Sequence, residues 1–258
     1  MEVLKIVKIG GNIIDDEVAL DNFLSEFSKL TCPKILVHGG GKTATKVSAK
    51  MQVEVKMIEG RRITDRDNLD IITMVYAGKI NKTVVAKLQA NKCNAIGFTG
   101  ADGNSIVSEK RKVTVIDYGF VGDISEVNTE ILQLLLKSNI TPVFSALTHD
   151  GQGQLLNTNA DTIASELAIG FASHFETELY YCFEKKGVLK NINNDASVIE
   201  VINPKSYISL LADNVISDGM LPKLNNCFHA ISHKVHKVCI GKPEMVFNSE
   251  EIFTTIQA

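Results

Sequence analysis

A chain of 258 residues, 45% hydrophobic and 22% charged, has the length and apolar content for one large α/β domain, or for two lobes built on one sheet. Its net charge of −3 gives no signal for nucleic acid or an anionic membrane, and apolar runs such as ILQLLL are too short to span a bilayer. Cys32, Cys93, Cys182, Cys227 and Cys239 are scattered, odd in number and without a CxxC pair, which fits buried thiols in a reducing compartment rather than a disulfide frame or a zinc site. No basic segment followed by an apolar one precedes the first predicted strand, so a cytoplasmic protein is expected.

The chain opens on a nearly continuous apolar run of Val3, Leu4, Ile6, Val7 and Ile9, which predicts a strand covered on both faces. Lys8 stands near its C-terminal end, where open α/β sheets gather their ligands. Gly10 and Gly11 follow, with no Cβ to keep an anion off the backbone amides. A cation beside bare amides points to a phosphate site; an edge lysine followed by an ordinary turn fits the same residues. Residues 17–30 show helical spacing, with acids early and Lys29 late. Residues 35–37 then repeat the opening theme: a strand, the glycines Gly39, Gly40 and Gly41, and a helix, a second turn suited to anions. The segment GGGKT is not a P-loop, because the position five before Gly41 is Leu36 rather than glycine.

Residues 53–57 alternate and predict a strand, and 67–91 predict one long helix. A short strand is expected at 95–98, hairpins on the sheet rim over 99–123, a helix at 128–138 and a strand at 140–146. Asn157, Asn159 and Asp161 alternate ahead of a helix at about 162–172, with Asp161 as its expected N-cap. The remainder predicts a strand at 178–183, a hairpin or loop at 186–195, helices at 205–211 and 220–232, a strand at 235–240 and a C-terminal helix from about Ser249. His229, His233 and His236 lie at i, i+4 and i+7, and fit a helix end whose cations offset the dipole better than a zinc site. Strands alternating with helices predict an α/β fold with a mostly parallel sheet between helix layers.

Five segments occur in order: KIGGN at 8–12, VHGGGK at 37–42, GRRIT at 60–64, NTNAD at 157–161 and ISDGMLPKLN at 216–225. By these the chain resembles the amino-acid kinase family over nearly its whole length. The NTNAD and DGM-x-x-K segments favour the acylglutamate branch over carbamate, uridylate or isopentenyl-phosphate kinases. The resemblance implies an open αβα sandwich, with a lobe at residues 1–155 for the acyl-amino acid and one at 156–258 for ATP. It implies ATP-dependent phosphorylation of the γ-carboxylate of N-acetyl-L-glutamate, or of a close N-acyl-glutamate, early in arginine biosynthesis, with Mg2+ carried by the ATP. An acceptor carboxylate with a pKa of roughly 4.3 is already ionised at neutral pH, so no general base is required.

Residue by residue, Lys8 resembles the lysine that touches the transferring phosphoryl group, Lys223 its partner from the nucleotide side, and Asp161 the aspartate that holds both. Gly10 and Gly11 would offer amides to the nucleotide phosphates, and Gly40 and Gly41 to the acceptor. Arg62 resembles the arginine that clamps the substrate's α-carboxylate, and Asn157 and Asn159 would help hold the acyl-glutamate. There is one departure: where the family usually has Asp-Val-x-Gly after a strand, this chain reads Phe183-Glu184-Lys185-Lys186-Gly187. Glu184 takes that nucleotide-side role with one more methylene. Lys42, Lys46 and Arg61 are read as a solvated face, although Arg61 also suits an acyl group with its own carboxylate, such as succinyl. Arginine-inhibited members carry a helix before the first strand, whereas the strand here begins within a few residues of Met1, so a homodimer insensitive to arginine is expected. Two other readings stay open: another small-acceptor kinase, or a non-catalytic sensor of the same fold.

Overall fold

Apolar side chains on both faces make β1 (Val3–Ile9) a strand that only an interior position satisfies, and the computed structural model places it in the middle of the main sheet. The structure describes residues 1–58, 60–191, 193–213, 215–216 and 220–258. β1 runs into α1 (Gly11–Ile14) and α2 (Glu17–Lys29), and β2 (Lys34–His38) runs into α3 (Gly41–Lys50). α2 begins at Asp16, whose carboxylate accepts from the Ala19 amide, and ends on Lys29, so charge complements the dipole at both ends. Its stripe of Leu20, Phe23, Leu24 and Phe27 is buried.

Residues 53–56, expected to be strand, are irregular. Only β3 (Met57–Ile58) pairs, antiparallel, with β4 (Arg61–Arg62). The alternating pattern is real, but both β3 side chains are exposed and no further strand lies beside the pair among the described residues. The long helix expected over 67–91 forms in three pieces: α4 (Arg66–Ile72), a π-helical stretch over Thr73–Ile80, and α5 (Asn81–Ala90). The wider π turn brings Tyr76 and Ile80 against Gly40.

β5 (Ala95–Phe98), β6 (Ile106–Lys110) and β7 (Gly122–Val127) follow, and β6 and β7 form an antiparallel pair as expected. α6 (Glu130–Lys137) leads to β8 (Thr141–Phe144), β9 (Leu147–His149), β10 (Leu155–Asn157) and α7 (Ala160–Phe171). The chain ends with β11 (Glu176–Cys182), β12 (Val201–Ile202), α8 (Pro204–Ala212), α9 (Leu221–Ser232), β13 (Lys237–Gly241) and β14 (Thr254–Ile256). The helix expected from Ser249 is corrected to a strand: Thr254, Thr255 and Ile256 are β-branched, and β14 pairs antiparallel with β13 and parallel with β12.

Among the described residues the main sheet has eight strands in the order β12-β14-β13-β11-β1-β2-β8-β5, parallel except where β13 meets β14. Residues 1–155 supply β1, β2, β8 and β5, and residues 156–258 supply the other four. The two halves join along β1 and β11, where Lys8 stands opposite Tyr181. Because β1, β2 and β11 are parallel, the turns after their C-terminal ends open on one edge of the sheet. A second sheet has the order β10-β9-β6-β7. No described helix is long and apolar enough to cross a membrane.

Gly119, at φ +73°, ties the loop before β7 to the segment that follows β4. Thr64 N–H donates to the Tyr118 carbonyl at 2.9 Å and Phe120 N–H donates to the Thr64 carbonyl at 2.7 Å. A Cβ at Gly119 would lie 2.2 Å from the Thr64 carbonyl oxygen, and a left-handed backbone is unfavourable for alanine. Gly119→Ala should therefore cost at least about 1 kcal/mol of stability, read as a lower urea midpoint. An unchanged midpoint would contradict this tie.

Candidate active site

Lys8 is the penultimate residue of β1, and α7 packs across β1 and β11 with its first turn above that strand end. Asp161, the second residue of α7, sits between two lysines. Its Oδ1 meets Lys8 Nζ at 2.7 Å and its Oδ2 accepts from Lys223 Nζ at 2.9 Å. The three side chains are 14–18% exposed, so water screens them only in part. Burial pushes the Asp161 carboxyl up, but the ammonium groups of Lys8 and Lys223 together outweigh burial and hold it well below the usual carboxylate range. One anion thus faces two cations, leaving positive charge for a ligand.

The structure corrects the expected cap. Asn159 is the N-cap of α7, with its side chain accepting from the Asp161 amide at 2.7 Å. The helix starts at Ala160, earlier than its apolar spacing suggested, and this leaves the Asp161 carboxylate for the lysines. Tyr181 completes the support. Its hydroxyl donates to the Asp161 backbone carbonyl at 2.9 Å, and Lys223 Nζ lies 5.0 Å from its ring centroid. Sequence reasoning missed Tyr181, which lies inside an apolar strand. The one signal is a pair of adjacent tyrosines, and only the register of β11 against Lys8 gives it meaning.

A cavity of about 910 Å³ runs from Lys8 and Asp161 to Arg62, and Gly10, Gly11, Gly40, Gly41, Asn157 and Asn159 all line it. The first amides of α3 have no intrahelical acceptor, which suits them to an anion. A Cβ at Gly40 would fall 2.3 Å from Ile80 Cδ1 and 3.0 Å from Tyr76 Cδ1, so this close approach requires glycine. Arg62 is buried. Its Nη2 donates to Thr45 Oγ1 at 2.7 Å and to the Gly41 carbonyl at 3.2 Å, and its Nη1 donates to Asn68 Oδ1 at 3.3 Å. No carboxylate pairs with it among the described residues, and a buried guanidinium without a counter-charge favours an anionic ligand. Asn157 Nδ2 donates to Thr64 Oγ1 at 3.0 Å. Thr45 and Asn68, which orient Arg62, carry no sequence signal of that role.

Lys42 and Lys46, read from the sequence as a solvated face, also line the cavity, as does Arg61. Among the described lining residues Asp161 is the one acid against six lysines and arginines, so the field inside favours anions. Glu184 is not brought to this cluster: it lies exposed beyond the end of β11 and does not line the cavity. Asp218 and Gly219 of the DGM segment lie outside the described residues. The three histidines at the end of α9 and just beyond it do not converge on one point: His229 Nε2 lies 3.2 Å from Glu166, with the His233 ring tilted against its own at 4.3 Å between centroids, and His236 Nε2 lies 3.0 Å from Glu176.

A mostly parallel sheet with a cationic, glycine-lined cavity at its C-terminal edge defines an α/β protein built to hold phosphate and carboxylate groups. The chain belongs to the amino acid kinase family, whose model matches residues 4–242. It is 54% identical over 245 residues to an acetylglutamate kinase of Cytophaga hutchinsonii, covering 95% of this chain and 93% of that one. It is 52% identical over 239 residues to an acetylglutamate kinase of Phocaeicola vulgatus, covering 93% of each. The crystal structure of smu.665 from Streptococcus mutans matches with a TM-score of 0.78 at 25% identity, covering 99% of this chain and 98% of that one.

β2 ends beside the cavity in His38, which is fully buried, and burial pushes its pKa down to about 4. A folded pKa below the unfolded value of roughly 6.5 means that His38 contributes stability above that pH, which is lost as pH falls toward 4. On these values the contribution is about 2 kcal/mol smaller at pH 5 than at pH 7. Asp161 acts in a lower window, losing its stabilisation only as pH falls below the ordinary carboxylate range of about 4. Urea unfolding at pH 7 and pH 5 should therefore show wild type losing about 2 kcal/mol more than His38→Gln. Equal losses would contradict a neutral, buried His38.

Proposed function

We propose that this chain transfers the γ-phosphoryl group of ATP to the γ-carboxylate of N-acetyl-L-glutamate, giving ADP and the acyl phosphate, an early step of arginine biosynthesis. The observation that carries this reading is the Asp161 carboxylate between Lys8 and Lys223, at the edge of a cavity whose far end holds Arg62 without a carboxylate partner among the described residues. The two acetylglutamate kinases at 54% and 52% identity support the choice of acceptor.

The acceptor carboxylate is ionised, so no proton needs removing. One of its γ-oxygens attacks the γ-phosphorus in line, and the bond to the β–γ bridging oxygen breaks with its electron pair leaving on ADP. The difficulty is an anion approaching a polyanion, so catalysis rests on placement and charge. Lys8 and Lys223 neutralise the oxygens of the transferring group, and Asp161 holds both without cancelling their combined charge. Arg62 takes the α-carboxylate, Asn157 and Asn159 hold the acyl-glutamate, and Gly40 and Gly41 present amides to the acceptor. Gly10 and Gly11 face the nucleotide phosphates, and Glu184 lies on the nucleotide side.

Residues 1–155 form the acceptor lobe and 156–258 the ATP lobe in this reading. The junction of the two sheet halves along β1 and β11 supports that division. Magnesium travels on the ATP, and a homodimer in the cytoplasm belongs to the same proposal, on the family resemblance.

Lys8→Met or Lys223→Met should each lower kcat about 10²- to 10³-fold, the effect of losing one preorganised donor worth about 2.7–4 kcal/mol. Near-normal turnover in both would sink the roles given to the lysines. The acceptor is tested by trapping acyl phosphate with hydroxylamine, using N-acetylglutamate, N-succinylglutamate, free glutamate, aspartate and carbamate. Turnover confined to N-acylated glutamate is expected, and the succinyl compound reads whether Arg61 and Lys46 on the cavity wall accept a further carboxylate. Turnover of free glutamate, aspartate or carbamate would move the chain to another kinase branch. ATP binding without any turnover would favour a sensor.

A further inference from the structure

A glycine turn has no side chains to fix its peptide planes, so something outside it must. His38 immediately precedes Gly39, Gly40 and Gly41, and its two ring nitrogens are both engaged. Nδ1 lies 2.8 Å from the Gly39 carbonyl oxygen and Nε2 lies 3.1 Å from Asn81 Nδ2. Asn81 decides which nitrogen carries the proton. Its Nδ2 also donates to the Val143 carbonyl at 2.8 Å, which can only accept, and its Oδ1 accepts from the Lys82 ammonium at 3.3 Å, which can only donate. The amide is thereby oriented, Nε2 must accept, and the proton sits on Nδ1, donated to Gly39. Gly97 makes room for this amide, since a Cβ there would lie 1.8 Å from Asn81 Oδ1.

We infer that His38 is a positioning residue that aims the Gly40 N–H into the cavity, where it meets an anionic oxygen of the acceptor. The Gly39 carbonyl and the Gly40 N–H share one planar trans peptide and point in opposite directions. Holding that carbonyl on the His38 ring turns the amide the other way, and Gly40 lines the cavity. Without that bond the plane is poorly held: a Cβ at Gly39 would meet nothing within 4 Å, and glycine rotates freely. Tyr76 and Ile80 press on Gly40 itself but leave the orientation of the preceding peptide to His38. The inference rests on the acceptor reading of the cavity given above.

Two substitutions separate positioning from packing. His38→Asn places an amide N–H where Nδ1 stands, and His38→Gln places its amide where Nε2 stands, leaving the Gly39 carbonyl without a donor. Both remove the same buried ring, so a packing role would affect them alike. His38→Gln is expected to raise the KM for N-acetylglutamate and lower kcat/KM by about 10- to 100-fold, with the KM for ATP held within about twofold. His38→Asn should recover to within about fivefold of wild type, since it restores the donor. Equal losses in the two variants, or an equal rise in the KM for ATP, would overturn the inference. Imidazole ¹⁵N NMR of the full chain needs no turnover: a proton on Nδ1 and a bare Nε2 supports the constraint, and a proton on Nε2 overturns it. If wild type phosphorylates no acceptor, the acceptor reading fails, and the tautomer still decides for or against the His38 constraint.

Discussion

One carboxylate shared by two ammonium groups organises this molecule. Two like charges at contact range in a partly screened site repel by on the order of 4 kcal/mol. Lys8 and Lys223 stay together because Asp161 lies between them, with contacts of 2.7 Å and 2.9 Å. The stoichiometry matters as much as the distances. Two acids would cancel the lysines, and none would let them swing toward water. A single acid leaves one surplus positive charge, fixed before any ligand arrives, and preorganised charge is the form in which electrostatics acts most strongly on a transition state.

The fold exists to make that contact across a junction. Lys8 comes from β1, the strand of the first half that borders the second, and Asp161 and Lys223 come from helices of the second half. Tyr181 stands opposite Lys8 in register, holds the Asp161 carbonyl and lies against the Lys223 ammonium. The same edge gathers the two glycine turns, because parallel strands release their chains on one side. Arg62 reaches the cavity only because Thr45 and Asn68 orient a guanidinium that is otherwise buried without a counter-charge among the described residues. Each piece is local in sequence, and the site is their intersection.

That division decides what could be read from the sequence. β1, β2 and the glycine turns were legible because an apolar run, a cation and adjacent glycines all fall within a few residues. α2 was legible because its stripe, cap and terminal charges agree. The strand expected at 53–57 has the right alternation but, among the described residues, no neighbouring strand to pair with beyond β4. The C-terminal segment looked like a short helix, and pairing with β13 made it a strand. The spacing suggests Asp161 as the cap of α7, but the helix starts two residues earlier, so Asn159 caps it and the Asp161 carboxylate turns to the lysines. Tyr181 and the bond between His38 and Asn81, 43 residues apart, were invisible because register and packing create them.

The most direct test of the account is a double-mutant cycle on kcat for acyl-phosphate formation, combining Asp161→Asn with Lys8→Met. If Asp161 works by holding Lys8 and Lys223, the double variant loses less than the product of the single losses, with a coupling of at least about 1 kcal/mol. Losses that multiply to within about 0.5 kcal/mol would mean that Asp161 and Lys8 act independently, and would contradict the account.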